Sequence, residues 1–154
     1  MLNQRENEGM AKIMAYSFDK VREKLLKEGV VSPDRIDEAI EEFRKYLTLI
    51  ALNHRGLGME SPVVDEVWHT FILFTRDYAA FCEDVFGFFV HHNPSTSFTP
   101  ISPGAVRSFH IAYEEVFGGP APRIWGPELK CYEEPQCEVG SCEDAPVPTC
   151  ADGE

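Results

Sequence analysis

The 154-residue chain carries 26 acidic against 14 basic residues, a net charge of −12, and is 44% hydrophobic. That is one domain's length with enough apolar surface for a core, and the charge excludes the basic footprint that a nucleic-acid backbone requires. The longest apolar runs, Phe71 to Phe74 and Phe86 to Val90, fall far short of a bilayer span. No basic start followed by an apolar stretch opens the chain, so a cytoplasmic protein that binds neither nucleic acid nor membrane is expected.

The elements read as helices in chain order. Met14, Phe18, Val21 and Leu25 recur at helical spacing, and Gly29 supplies a stop. Ser32-Pro33 then offers an N-cap followed by Pro at the first helical position. The stripe Ile36, Ile40, Phe43, Leu47, Ile50 runs from it, with Glu41, Glu42, Arg44 and Lys45 expected on the solvated face. Gly56 and Gly58 break the pattern, and Ser61-Pro62 repeats the start signal. The helix that follows is apolar nearly all round (Val63, Val64, Val67, Trp68, Phe71 to Phe74), which places it in the middle of a bundle. Thr75 reads as the cap of a fourth helix, whose apolar face is Tyr78, Phe81, Cys82 and Val85 and whose end is Gly87. Phe88 to Asn93 is expected to be extended, because Pro94 disfavours helix before it. Ser102-Pro103 opens a fifth helix striped by Val106, Phe109, His110, Tyr113 and Phe117 and closed by Gly118-Gly119. The expectation is an all-α bundle of about five helices, with weak strand evidence only around Phe88.

The C-terminal stretch differs in kind. From Glu128 onward there are eight acidic residues and one lysine, a net charge of −7, with few large apolar groups and Pro135, Pro146 and Pro148 interspersed. Such a segment cannot bury enough surface to offset its ordering entropy. The reading is a helical domain over 1–129 and an irregular acidic tail over 130–154. Cys131, Cys137, Cys142 and Cys150 fall in that tail at spacings that match neither a zinc knuckle nor a redox pair. They leave open a soft-metal site, disulfides in an oxidising setting, or reduced thiols on a solvated tail.

The informative stretch is Val64-Asp65-Glu66-Val67-Trp68-His69. Asp65 and His69 lie one turn apart on one helix face, at the edge of the core beside Ile72. A carboxylate and an imidazole placed there need partners, because unpaired burial costs several kcal/mol or forces neutralisation. Two donors at i and i+4 can grip one metal ion. Cys82 lies on a face aimed at the same core, and His91-His92 occupies a turn-like run before Asn93-Pro94. Asp65, His69, Cys82 and one of the paired histidines give an O, N, S, N set suited to tetrahedral zinc, with iron or another transition metal compatible by ligand type. Each piece also has an ordinary structural reading: a hydrogen-bonded core pair, a packed thiol, a loop. His54 and His110 read as structural.

The motifs Val64-Asp65-x-x-Trp68-His69, Tyr78-x-x-x-Cys82, Phe86-Gly87 with His92, and Tyr113-x-x-x-Phe117-Gly118 followed by Pro122 and Trp125 resemble the glycine-rich-domain-containing-protein-like family. The resemblance spans roughly Ile36 to Trp125. It implies an α-helical domain of undefined biochemistry, alone or joined to other modules, and its pattern runs through Asp65, His69, Cys82 and His92, favouring His92 over His91. Phe71 stands where plant members often have a second His, and an acidic Cys-containing tail replaces the glycine-rich segment.

Three functions follow. The first is a metal-binding helical domain, with zinc as the cofactor: structural if four ligands engage, open to water activation if three do, with Glu66 as the nearest base. The second is an interaction or metal-delivery module that recruits a protein partner through the acidic tail. The third is a Cys82–His69–Asp65 hydrolase, disfavoured because a thiol on a core face is normally inert.

Overall fold

The computed structural model describes residues 2–126. The domain boundary expected at 129, the acidic tail and its four cysteines lie outside the described residues. Six helices carry the fold: α1 (Gln4–Ala15), α2 (Asp19–Glu28), α3 (Pro33–Ala51), α4 (Pro62–Leu73), α5 (Thr75–Phe86) and α6 (Pro103–Phe117), followed by a 3₁₀ turn at Arg123–Trp125. The architecture is all-α, and no strand occurs among the described residues. Residues 88–92 run without helix or strand pairing.

Local sequence sets most of the ends. Ser61 and Ser102 accept hydrogen bonds from the N–H groups of Val64 and Ala105, and Pro62 and Pro103 occupy the first helical positions. At α3 the Pro33 start holds, but the Ser32 hydroxyl donates to the Asp34 carboxylate and caps nothing. Gly29, Gly87 and Gly118 close α2, α5 and α6 in the left-handed conformation that glycine adopts without strain. Phe74 alone joins α4 to α5, and Thr75 is the first helical residue where a cap was expected.

The first stripe is two helices, where the spacing predicts one. α1 opens with an Asn3–Glu6 capping box and ends at Ala15; α2 starts at Asp19. The turn between them drives Tyr16 and Phe18 into a ring cluster with Phe71 and Phe81, while Met14 is left exposed. Arg44 of α3 makes the break stable. Its guanidinium donates to the Ile13 carbonyl at 2.6 Å and lies over the Phe18 ring. A free carbonyl at a helix end needs such a donor.

α3 and α4 form the centre. α3 packs on α1, α2, α4 and α6, and α4 on α2, α3, α5 and the 3₁₀ turn. The expected α3 stripe is buried throughout. Glu42, expected on the solvated face, is 4% exposed. Its carboxylate accepts from Trp125 Nε1 at 2.6 Å, Tyr113 Oη at 2.9 Å and Lys45 Nζ at 2.6 Å. The 3₁₀ turn and α6 are thereby tied to α3, because a buried carboxylate is tolerated only where donors surround it.

Candidate metal centre

Asp65 lies in the first turn of α4, where the helix dipole favours a negative charge. His69 follows one turn later, with its Nε2 3.3 Å from Asp65 Oδ2. The third member comes from outside the helix. His92 Nε2–H donates to Asp65 Oδ1 at 2.6 Å, and the His92 ring stacks on Trp68 (centroids 4.2 Å apart) and on His69 (4.7 Å). One donor atom from each of Asp65, His69 and His92 lies within 4.8 Å of the other two. His92 is largely buried, Asp65 is partly covered, and His69 is the most open of the three.

What brings His92 there is a clamp on the segment before it. Tyr78 on α5 receives the Trp68 indole N–H at 3.0 Å and donates its own hydroxyl to the Val90 carbonyl. Cys82, one turn along α5, is 1% exposed. Burial pushes its thiol pKa up, against the Val90 N–H and Tyr78 hydroxyl that lean on the sulfur and favour the thiolate. Cys82 is therefore placed against Val90, and the Asp65–His69–His92 group does not include it. The expected O, N, S, N set is gathered as O, N, N. The physical reason is that Cys82 occupies the apolar face of α5, which packs on the clamp and not on the ligand group. The same placement counts against a Cys82 nucleophile, since a raised thiol pKa disfavours the thiolate. His91 is exposed and lies against Phe89, so the histidine drawn in is His92.

Two further groups shape the site. Glu66 Oε1 stands 3.7 Å from His69 Nδ1, on the ring nitrogen opposite the one that faces Asp65. At that distance the carboxylate is a neighbour of the ring and not a hydrogen-bond partner. Tyr46 of α3 packs on Trp68 and donates to the Leu57 carbonyl; burial first, and then the Asp65 charge, push its hydroxyl pKa well up. Tyr46 stands outside the expected α3 stripe of Ile36, Ile40, Phe43, Leu47 and Ile50 and carries no other sequence signal. His110 pairs with Glu60 at 2.9 Å, apart from this group.

The two histidines meet different oxygens of the carboxylate: His69 Nε2 stands 3.3 Å from Oδ2 and His92 Nε2 2.6 Å from Oδ1. Donors on a tetrahedral zinc ion lie about 3.3 Å apart.

Among known protein families, the sequence pattern described as UCP032817-like matches residues 8–113, more than half of the chain. No curated protein and no solved structure matches. The match corrects the resemblance to the glycine-rich-domain-containing-protein-like family. The motifs behind that resemblance are ones a helical bundle needs for its own reasons: Trp68 packs at the centre, and Gly87 and Gly118 end helices in the left-handed conformation.

Proposed function

The chain belongs to the UCP032817-like family, an uncharacterised one, and we propose that it is a metal-binding helical domain whose ligands are Asp65, His69 and His92. Zinc is the first candidate ion. The observation that carries the reading is the convergence of one carboxylate oxygen and two imidazole nitrogens within 4.8 Å, from two separate parts of the chain. Support comes from the surroundings. Glu66 stands 3.7 Å from the far nitrogen of His69, and Trp68 and the Val90 clamp hold the His92 ring in place. Two histidines and a carboxylate also form the ligand set of ferrous oxygenases, which makes iron(II) the second candidate.

Elemental analysis of protein purified without chelator tests the proposal, beside Asp65→Asn, His92→Ala and Cys82→Ser. The expected result is about one ion per chain in the wild type and in Cys82→Ser, with affinity down by more than ~100-fold in the first two, since even outer-shell losses cost 10- to 100-fold. No metal in the wild type, or loss confined to Cys82→Ser, would overturn it.

A further inference from the structure

The donor set leaves a coordination position to be filled, and the structure says what adjoins it. Zinc takes four ligands, and where a protein supplies three the fourth position holds an exchangeable group. Asp65 and His92 both line a cleft of about 360 Å³, within the size range of small-molecule sites. Asp65 and His92 face the cleft together with Trp68, and His69 lies outside its lining, so an ion held by the three has the cleft on its Asp65–His92 side.

The walls give the chemical class of the occupant. Leu57, Met59 and Ile101 form an apolar side, and His91, Asn93, Ser95 and Thr99 a polar one. Asp65 is the only carboxylate in the described lining, and no lysine or arginine stands there. Phosphate and carboxylate groups are normally held by arginine or lysine forks or by free N–H groups at a helix N-terminus. The start of α6 borders the cleft, but it is poorly equipped for an anion. Pro103 has no N–H, those of Ala105 and Val106 are taken by the Ser102 hydroxyl and carbonyl, and the one left, that of Gly104, belongs to a residue outside the described lining. We propose that the ion keeps an exchangeable position facing this cleft, and that the position takes a small uncharged ligand through a carbonyl or hydroxyl oxygen.

This inference rests on the metal reading, and cobalt(II) substitution separates the two. Cobalt reports its own coordination through its visible absorption bands, and its content in the same sample reports metal binding. Acetamide, which stays uncharged when its carbonyl oxygen meets a metal, and inorganic phosphate serve as probes. The expected result is a band shift produced by acetamide at a concentration at least tenfold below that at which phosphate acts. Ala105→Phe, which fills the cleft from a residue outside the donor set, should keep its cobalt and lose the shift. A protein that binds cobalt but whose bands neither probe moves, or that responds first to phosphate, overturns the inference alone. A protein that binds no cobalt overturns the metal reading as well.

Discussion

Two carboxylates border the same aromatic seam and meet different company. Glu42 reaches it through Trp125, which stacks on Tyr46; Asp65 reaches it through His92, whose ring stacks on Trp68, which packs on the same tyrosine. Glu42 is buried and takes hydrogen bonds from an indole, a phenol and an ammonium group; the indole and the ammonium have no lone pair to offer a metal, and the phenol oxygen already accepts from Lys45 Nζ. Asp65 is partly open and faces two imidazoles, each of which can exchange a ring proton for an ion. The difference teaches how to tell a structural carboxylate from a ligand: by what its partners can become, not by burial alone.

The largest expected effect lies on the closed side. Glu42→Ala strands the Trp125 and Tyr113 donors and leaves Lys45 without its carboxylate, and should cost about 3–5 kcal/mol in urea unfolding. Asp65→Ala, measured with chelator present, should cost only about 1 kcal/mol, the value of its hydrogen bond to His92. Equal losses at the two positions would erase the distinction between them.

A smaller effect should appear at Trp68, which serves both regions. Its ring backs His92, and its N–H goes to the Tyr78 hydroxyl that fixes Val90. Trp68→Phe keeps most of the packing and removes that hydrogen bond, so about 1–2 kcal/mol of stability should go.

Zinc affinity should fall by about tenfold in the same variant, the lower end of what outer-shell groups supply. Unchanged zinc affinity would mean that the clamp does not position His92.

The sequence made one half of this picture legible. Ser61-Pro62 and Ser102-Pro103 mark helix starts, and Gly29, Gly87 and Gly118 mark ends, because capping is local chemistry. Asp65 and His69 follow from the helical period. What escaped depends on distant parts of the chain. Glu42 looks solvated on the α3 wheel, and its burial is set by Tyr113 and Trp125, 71 and 83 residues later. The break at residues 16–18 depends on Arg44, and the arrival of His92 at Asp65 depends on a clamp built by Trp68, Tyr78 and Val90. The helical period puts Cys82 on a buried face, and it is buried, but burial does not say which neighbour that face meets.

The smallest expected effect concerns that thiol. Because burial raises the Cys82 pKa, the neutral thiol is favoured in the folded protein, and its contribution is present in full below the unfolded value of about 8.5. It is lost as pH rises from there through the folded value. Cys82→Ala has no such ionisation, so the stability gap between it and the wild type should change as pH is raised from 7.5 to 9.5, to the disadvantage of the wild type. Alkylation of native Cys82 by iodoacetamide, followed by peptide mapping, should be slow at pH 8 and should keep its rate when chelator is added. A thiolate bound to the ion would behave otherwise, since removing the metal would free a nucleophile. A tenfold rise in rate on chelation would move Cys82 from the clamp into the coordination shell and close the position that the cleft is argued to leave open.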